Sequence, residues 1–174
     1  MKARFSVAVI AIAALLAAPF SFAADDKIGI FETIRAANVS FEEATAALDT
    51  AFETSGLVLH ATHDVRVPDA THKARVYVMT SPTYADVARD ESPTTISAQI
   101  LRLAVYTQGA DQKAYINMAN PVAHAMVYYS GSSNYDALLA AAQAAADEIR
   151  ALVSAVPGEA VSVFRRMLEN DKED

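Results

Sequence analysis

The chain has no cysteine and no tryptophan, and few backbone punctuators, with five glycines and six prolines in 174 residues. The missing thiol excludes a cysteine nucleophile, a cysteine-ligated zinc, an iron–sulfur cluster and thioether-linked haem. It also leaves no residue to carry a lipoprotein's lipid. Positive charge is scarce: 14 Lys+Arg face 21 Asp+Glu, for a net charge of −7. Such a surface repels phosphate backbones and anionic membranes, which argues against nucleic acid and membrane-surface partners. Catalytic signatures are missing as well. Ser130-Gly-Ser-Ser133 does not fit the nucleophile-elbow pattern, and no glycine-rich phosphate loop or dinucleotide fingerprint is present. The acidic pairs Glu42-Glu43 and Asp147-Glu148 fall on helix surfaces, where they solubilise.

What is present begins with the first 23 residues. Lys2 and Arg4 precede an apolar run over residues 6–18, then Pro19 and a Ser21-x-Ala23 end. This is the pattern of a cleavable secretory signal peptide, with an apolar run shorter than the about 20 residues needed to span a bilayer. The expected mature start is Ala24, in the periplasm or outside the cell, with no membrane anchor after cleavage. Removing Lys2 and Arg4 takes the net charge from −7 to −9. About 150 residues remain, enough for one domain with a sizeable core.

Residues 24–38 read as a lead-in, with a short strand or turn near residues 28–34. Ser40-Phe-Glu-Glu43 is a capping box, and Phe41, Ala44, Leu48, Ala51 and Phe52 recur at helical spacing. A helix over residues 41–55 follows, with Gly56 as its stop. Residues 57–67 alternate as a half-buried strand, and residues 74–80 form a second strand that pairs with it. Ser81-Pro82 opens a short helix over residues 83–89. Residues 90–99 are a polar connection. Residues 100–107 and 112–118 make another hairpin around Gly109. Residues 122–129 fit either a helical turn after Asn120-Pro121 or a last strand, and the β-branched and aromatic content leans to strand. Asn134 then caps the longest helix, whose stripe runs from Tyr135 through Leu138, Ala142, Ile149 and Leu152 to Val156. Residues 160–168 read as a short helix and residues 169–174 as a solvated tail. The expected fold is α+β: a single domain over residues 39–168, with a mainly antiparallel sheet of four to five strands and helices packed on one face. A sheet covered on one side leaves a face and an edge open, so a homodimer is a fair expectation.

Residues 50–128 resemble the bacterial domain of unknown function 302 family. The pieces that carry the likeness are Thr54-Ser-Gly-Leu-Val58, Met79-Thr-Ser-Pro-Thr-Tyr84, Pro93-Thr-Thr-Ile-Ser97, Leu101-Arg-Leu-Ala-Val-Tyr106 and Asn117-Met-Ala-Asn-Pro121. The helix from Tyr135 is similar to that family's closing helix. The resemblance implies a compact α+β domain, often dimeric, and no settled activity. Many members carry a cysteine beside the proline that precedes the arginine-containing strand. None stands here, so no thiol-based role carries over.

Two constellations are candidates for function. Arg102 and Tyr106 share one face of their strand, and Tyr115 and Asn117 share a face of the next. With Tyr84 and Asn120 they could line a polar, aromatic cleft for an anion or a small organic ligand. Met118, His124 and Met126 offer thioether and imidazole groups, which suit copper. His60 and His63 sit three apart on a strand and so face opposite ways, which disfavours a shared metal. The reading that follows is an exported soluble protein binding a small ligand or a protein partner without catalysis. Periplasmic copper handling is the alternative. A hydrolase or isomerase around Arg102, Tyr106 and Asn120 is the third, weakened because neither Arg nor Tyr is a ready base at neutral pH.

Overall fold

Along Leu101–Gln108 every second residue is buried, and the residues between them are exposed or half-buried. One face of this strand meets a core and the other does not, and the rest of the molecule follows that division. The computed structural model describes residues 28–69, 71–110 and 112–168. In chain order the elements are β1 (Ile28–Ala37), α1 (Phe41–Phe52), β2 (Val58–Asp64), β3 (Ala74–Thr80), α2 (Pro82–Val87), a 3₁₀ helix (Pro93–Gln99), β4 (Leu101–Gln108), β5 (Lys113–Ala119), α3 (Pro121–Tyr128), α4 (Tyr135–Val153) and β6 (Gly158–Leu168). The strands form one sheet in the order β2-β3-β4-β5-β1-β6, with every neighbouring pair antiparallel.

The α-helices cover one face. Leu48 of α1 and Leu138 and Ile149 of α4 are fully buried against Tyr77, Leu103, Ile116 and Met118 of the strands. Four alanines of α4 (Ala141, Ala142, Ala145 and Ala146) keep that helix close to its neighbours. Burying each large apolar side chain is worth about 1.5–3 kcal/mol. The capping box of α1 forms as its sequence requires: the Ser40 hydroxyl accepts from the Glu43 amide at 3.2 Å, and the Ser40 amide donates to Glu43 Oε2 at 2.9 Å.

The architecture is the expected α+β sheet with one helical face, but it has six strands and begins earlier. The lead-in contains β1, which lies between β5 and β6. Its alternation is broken by a register shift between Thr33 and Arg35 and by a buried carboxylate, Glu32, so it carries no clean period of two. Residues 122–129, leaned towards strand, form α3. Asn120 caps it by accepting from the Val122 amide at 3.0 Å, and Pro121 occupies the first turn; this cap outweighs the β propensity of the segment. Residues 160–168, read as a helix, belong to β6, which pairs along β1. The polar connection at residues 90–99 contains a 3₁₀ helix. Asn134 stands at the start of α4 but makes no side-chain cap bond. Helix α1 ends at Phe52, with Glu53 as its cap, before Gly56 is reached. The expected leader (1–23) and charged tail (169–174) lie outside the described residues.

Candidate functional site

Opposing residues of paired strands share a face, so the open side of the sheet can be read row by row. One row holds Ala74, Tyr106, Tyr115 and Ala36. The next holds Val76, Ala104, Asn117, Thr33 and Val163, mostly small side chains. A third holds Val78 and Arg102 on one side and Phe31 and Arg165 on the other. Same-face rows are about 6.7 Å apart along a strand. A low row of small groups is thus flanked by tyrosines on one side and by cationic and aromatic groups on the other.

Within this face a depression of about 390 Å³ is lined by Thr33, Ala36, Tyr106, Tyr115, Val163 and Arg165, among others. The Tyr106 and Tyr115 rings stack with centroids 5.9 Å apart. Lys113 lies beside the Tyr115 ring, 5.8 Å from its centroid. Three cations therefore stand on this face of an acidic chain, with Glu159, opposite Ala36, at its corner. The arrangement offers ring faces for stacking and guanidinium groups for a carboxylate.

The candidates from the sequence divide between the two sides of the sheet. Arg102, Tyr106 and Tyr115 are on the open face, although Arg102 lies outside the lining of the depression. Tyr84 is fully buried on the helical side. Among the described residues, its hydroxyl and that of Tyr129 are buried with no partner other than each other. Burial raises the Tyr84 pKa and so holds its hydroxyl neutral, and the neighbouring Tyr129 hydroxyl acts in the same direction. Asn120 is spent on capping α3. Arg165 and Val163 were invisible to sequence reasoning, because their segment read as a helix. A Val-x-Val-x-Arg alternation over residues 161–165 was the signal that could have found them.

The copper candidates are also distributed. Met118 is fully buried in the core, and Met126 is exposed on α3. His124, two residues before Met126 on that helix, points about 200° away from it. Among the described residues no group of three or more His, Asp or Glu side chains could hold a metal ion. His124 instead packs edge-on to Tyr128, with ring centroids 6.4 Å apart. Burial, and then the Arg102 charge, lower its pKa. A depressed folded-state pKa favours the neutral ring, so this contribution to stability is present above the ordinary value near 6.5 and is lost as pH falls. Replacing Arg102 by Gln should move the His124 titration midpoint upward, read from imidazole proton shifts. An unmoved midpoint would remove Arg102 from its surroundings.

The fold and the open face together define a class: a two-layer α+β domain whose antiparallel sheet, among the described residues, is covered by helices on one face. Among solved structures, the chain is similar to the crystal structure of an uncharacterized conserved protein DUF302 from Bacillus stearothermophilus, with a TM-score of 0.58, 15% identity, and coverage of 72% of this chain and 97% of that one. The fold is that of a DUF302 protein, as the resemblance implied. No family model and no curated protein matches the chain.

Proposed function

We propose that the chain is an exported, non-catalytic binding module whose open sheet face holds a small aromatic carboxylate. One observation carries the reading: the depression combines the stacked pair Tyr106 and Tyr115 with Arg165, and no carboxylate among the described residues lines it. Aromatic rings take a flat apolar body, and a guanidinium takes a carboxylate through paired N–H groups. Among the described residues no nucleophile with an adjacent base lines the depression, which supports binding over catalysis. The leader-like first 23 residues support export.

Benzoate is the probe, with benzamide lacking the charge and cyclohexanecarboxylate lacking the ring. Ring signals of Tyr106 and Tyr115 should shift with benzoate, and affinity should fall at least tenfold for either analogue. Arg165→Gln should weaken benzoate by about tenfold or more, in the range of one charge-assisted hydrogen bond, and Arg102→Gln by less. Benzamide binding as tightly as benzoate, or no tyrosine shift at millimolar benzoate, would reject the proposal.

A further inference from the structure

A second hollow lies on the helical side, at the end of the sheet away from α3, where the loops before α1, before β3 and before β5 converge. It has two contiguous lobes of about 570 and 550 Å³, which share Phe41, Glu42 and Lys73. One wall is held firmly. The buried Thr107 hydroxyl accepts from the Lys73 amide at 2.9 Å and donates to Gln112 Oε1 at 3.1 Å. The same Gln112 oxygen lies 3.2 Å from His72 Nδ1. Gln112 does this from a left-handed backbone, φ 54°. A non-glycine residue there costs about 1–3 kcal/mol and persists only where its surroundings fix it.

Charge is graded along the hollow. The first lobe carries Lys73, and the carboxylate that lines it, Glu42, is the one Lys73 pairs with. The second carries Asp49 and Asp64, which share a single guanidinium: Arg75 Nε is 2.7 Å from Asp64, and Arg75 Nη1 is 3.6 Å from Asp49. One negative charge is left over at that end. Between the two ends Lys73 bridges Glu42, both of them exposed. Exposed pairs of this kind contribute about 0–1 kcal/mol, so charged ligand ends can replace this one cheaply.

We propose that this hollow binds a short peptide with both ends free, its ammonium towards Asp49 and Asp64 and its carboxylate towards Lys73. The length follows from α1. Glu42 and Asp49 are seven residues apart on that helix, about 10 Å at 1.5 Å per residue. An extended peptide advances about 3.3 Å per residue, so three residues span the distance. A single amino acid is too short to reach both ends.

The test uses three mixed tripeptide libraries: free-ended, N-acetylated and C-amidated. Each is filtered with the whole protein, and the retained peptides are counted by mass spectrometry. Free-ended peptides should be retained at least tenfold more than either blocked set. Asp49→Asn should erase the preference against acetylation, and Lys73→Gln the preference against amidation, with circular dichroism unchanged for both surface variants. Arg165→Gln, on the other side of the sheet, should leave retention unaltered. Equal retention of the three libraries, or retention of none, would overturn the proposal, as would loss in Arg165→Gln with retention kept in Lys73→Gln.

Discussion

Gly158→Ala should destabilise the protein by about 3 kcal/mol or more, measured as the shift of the urea unfolding midpoint. Gly158 opens β6 at φ 153°, where a side chain is strained whatever the space. Space is absent too. An added Cβ would stand 2.3 Å from the Ala36 carbonyl oxygen and 2.8 Å from Ala37 Cα. Both are backbone atoms of the neighbouring strand and cannot rotate away. Overpacking typically costs about 1–3 kcal/mol, and the backbone conformation adds about 1–2. A loss of that size is a large fraction of the about 5–15 kcal/mol that holds a domain together. Gly56→Ala is the control, because its added Cβ meets nothing within 4 Å, and it should stay within about 0.5 kcal/mol of the parent. Equal, small effects at both positions would mean that β6 does not lie against β1 as described.

The same contrast explains what could be read in the sequence. Local signals survived. The capping box of α1, the alternation of β4 and the alanine-lined stripe of α4 each specify an element without help from distant residues. The elements that were misread depend on partners far along the chain. Strand β1 hides its period because Glu32 points into the core, tolerable only since Arg150 and Ser162 meet it there, 118 and 130 residues away. Strand β6 is an edge with much of its length exposed, so it shows no buried stripe to separate strand from helix. For α3 the two rules conflicted, and a terminal cap won over side-chain propensity. The candidate site inherits these results. Tyr106 and Tyr115 were legible in the sequence as members of one hairpin, and the pairing of β4 with β5 brings them onto one face. Arg165 was not, because it reaches the face only through the pairing of β6 with β1. Tyr84 was assigned to a cleft on its polarity, whereas its hydroxyl is buried in the core.

Arg150→Met should cost about 3 kcal/mol, and most of that should return when Glu32 is replaced by Leu in the same chain. Glu32 is 2% exposed. Its carboxylate accepts from Arg150 Nη2 at 2.7 Å and from the Ser162 hydroxyl at 2.9 Å, so α4, β1 and β6 meet at one group. Removing the guanidinium strands a buried charge on a single hydroxyl, and breaking such a pair costs about 3–5 kcal/mol. Arg150 is itself 36% exposed, so water can reach part of the gap and the lower end of that range applies. Removing both charges leaves neither stranded, and apolar groups of similar volume at such sites are often neutral. The double-mutant cycle should therefore give a coupling energy of about 2 kcal/mol or more. The effect should also reach the open face, since Arg165 and Ser162 belong to the same edge strand, and Ser162 is one of its ties to the core. Amides of β6 should exchange faster in Arg150→Met than in Glu32→Leu/Arg150→Met, and benzoate should bind the single variant more weakly than the double. Additive effects of the two substitutions would show that the three elements are held together by apolar packing alone.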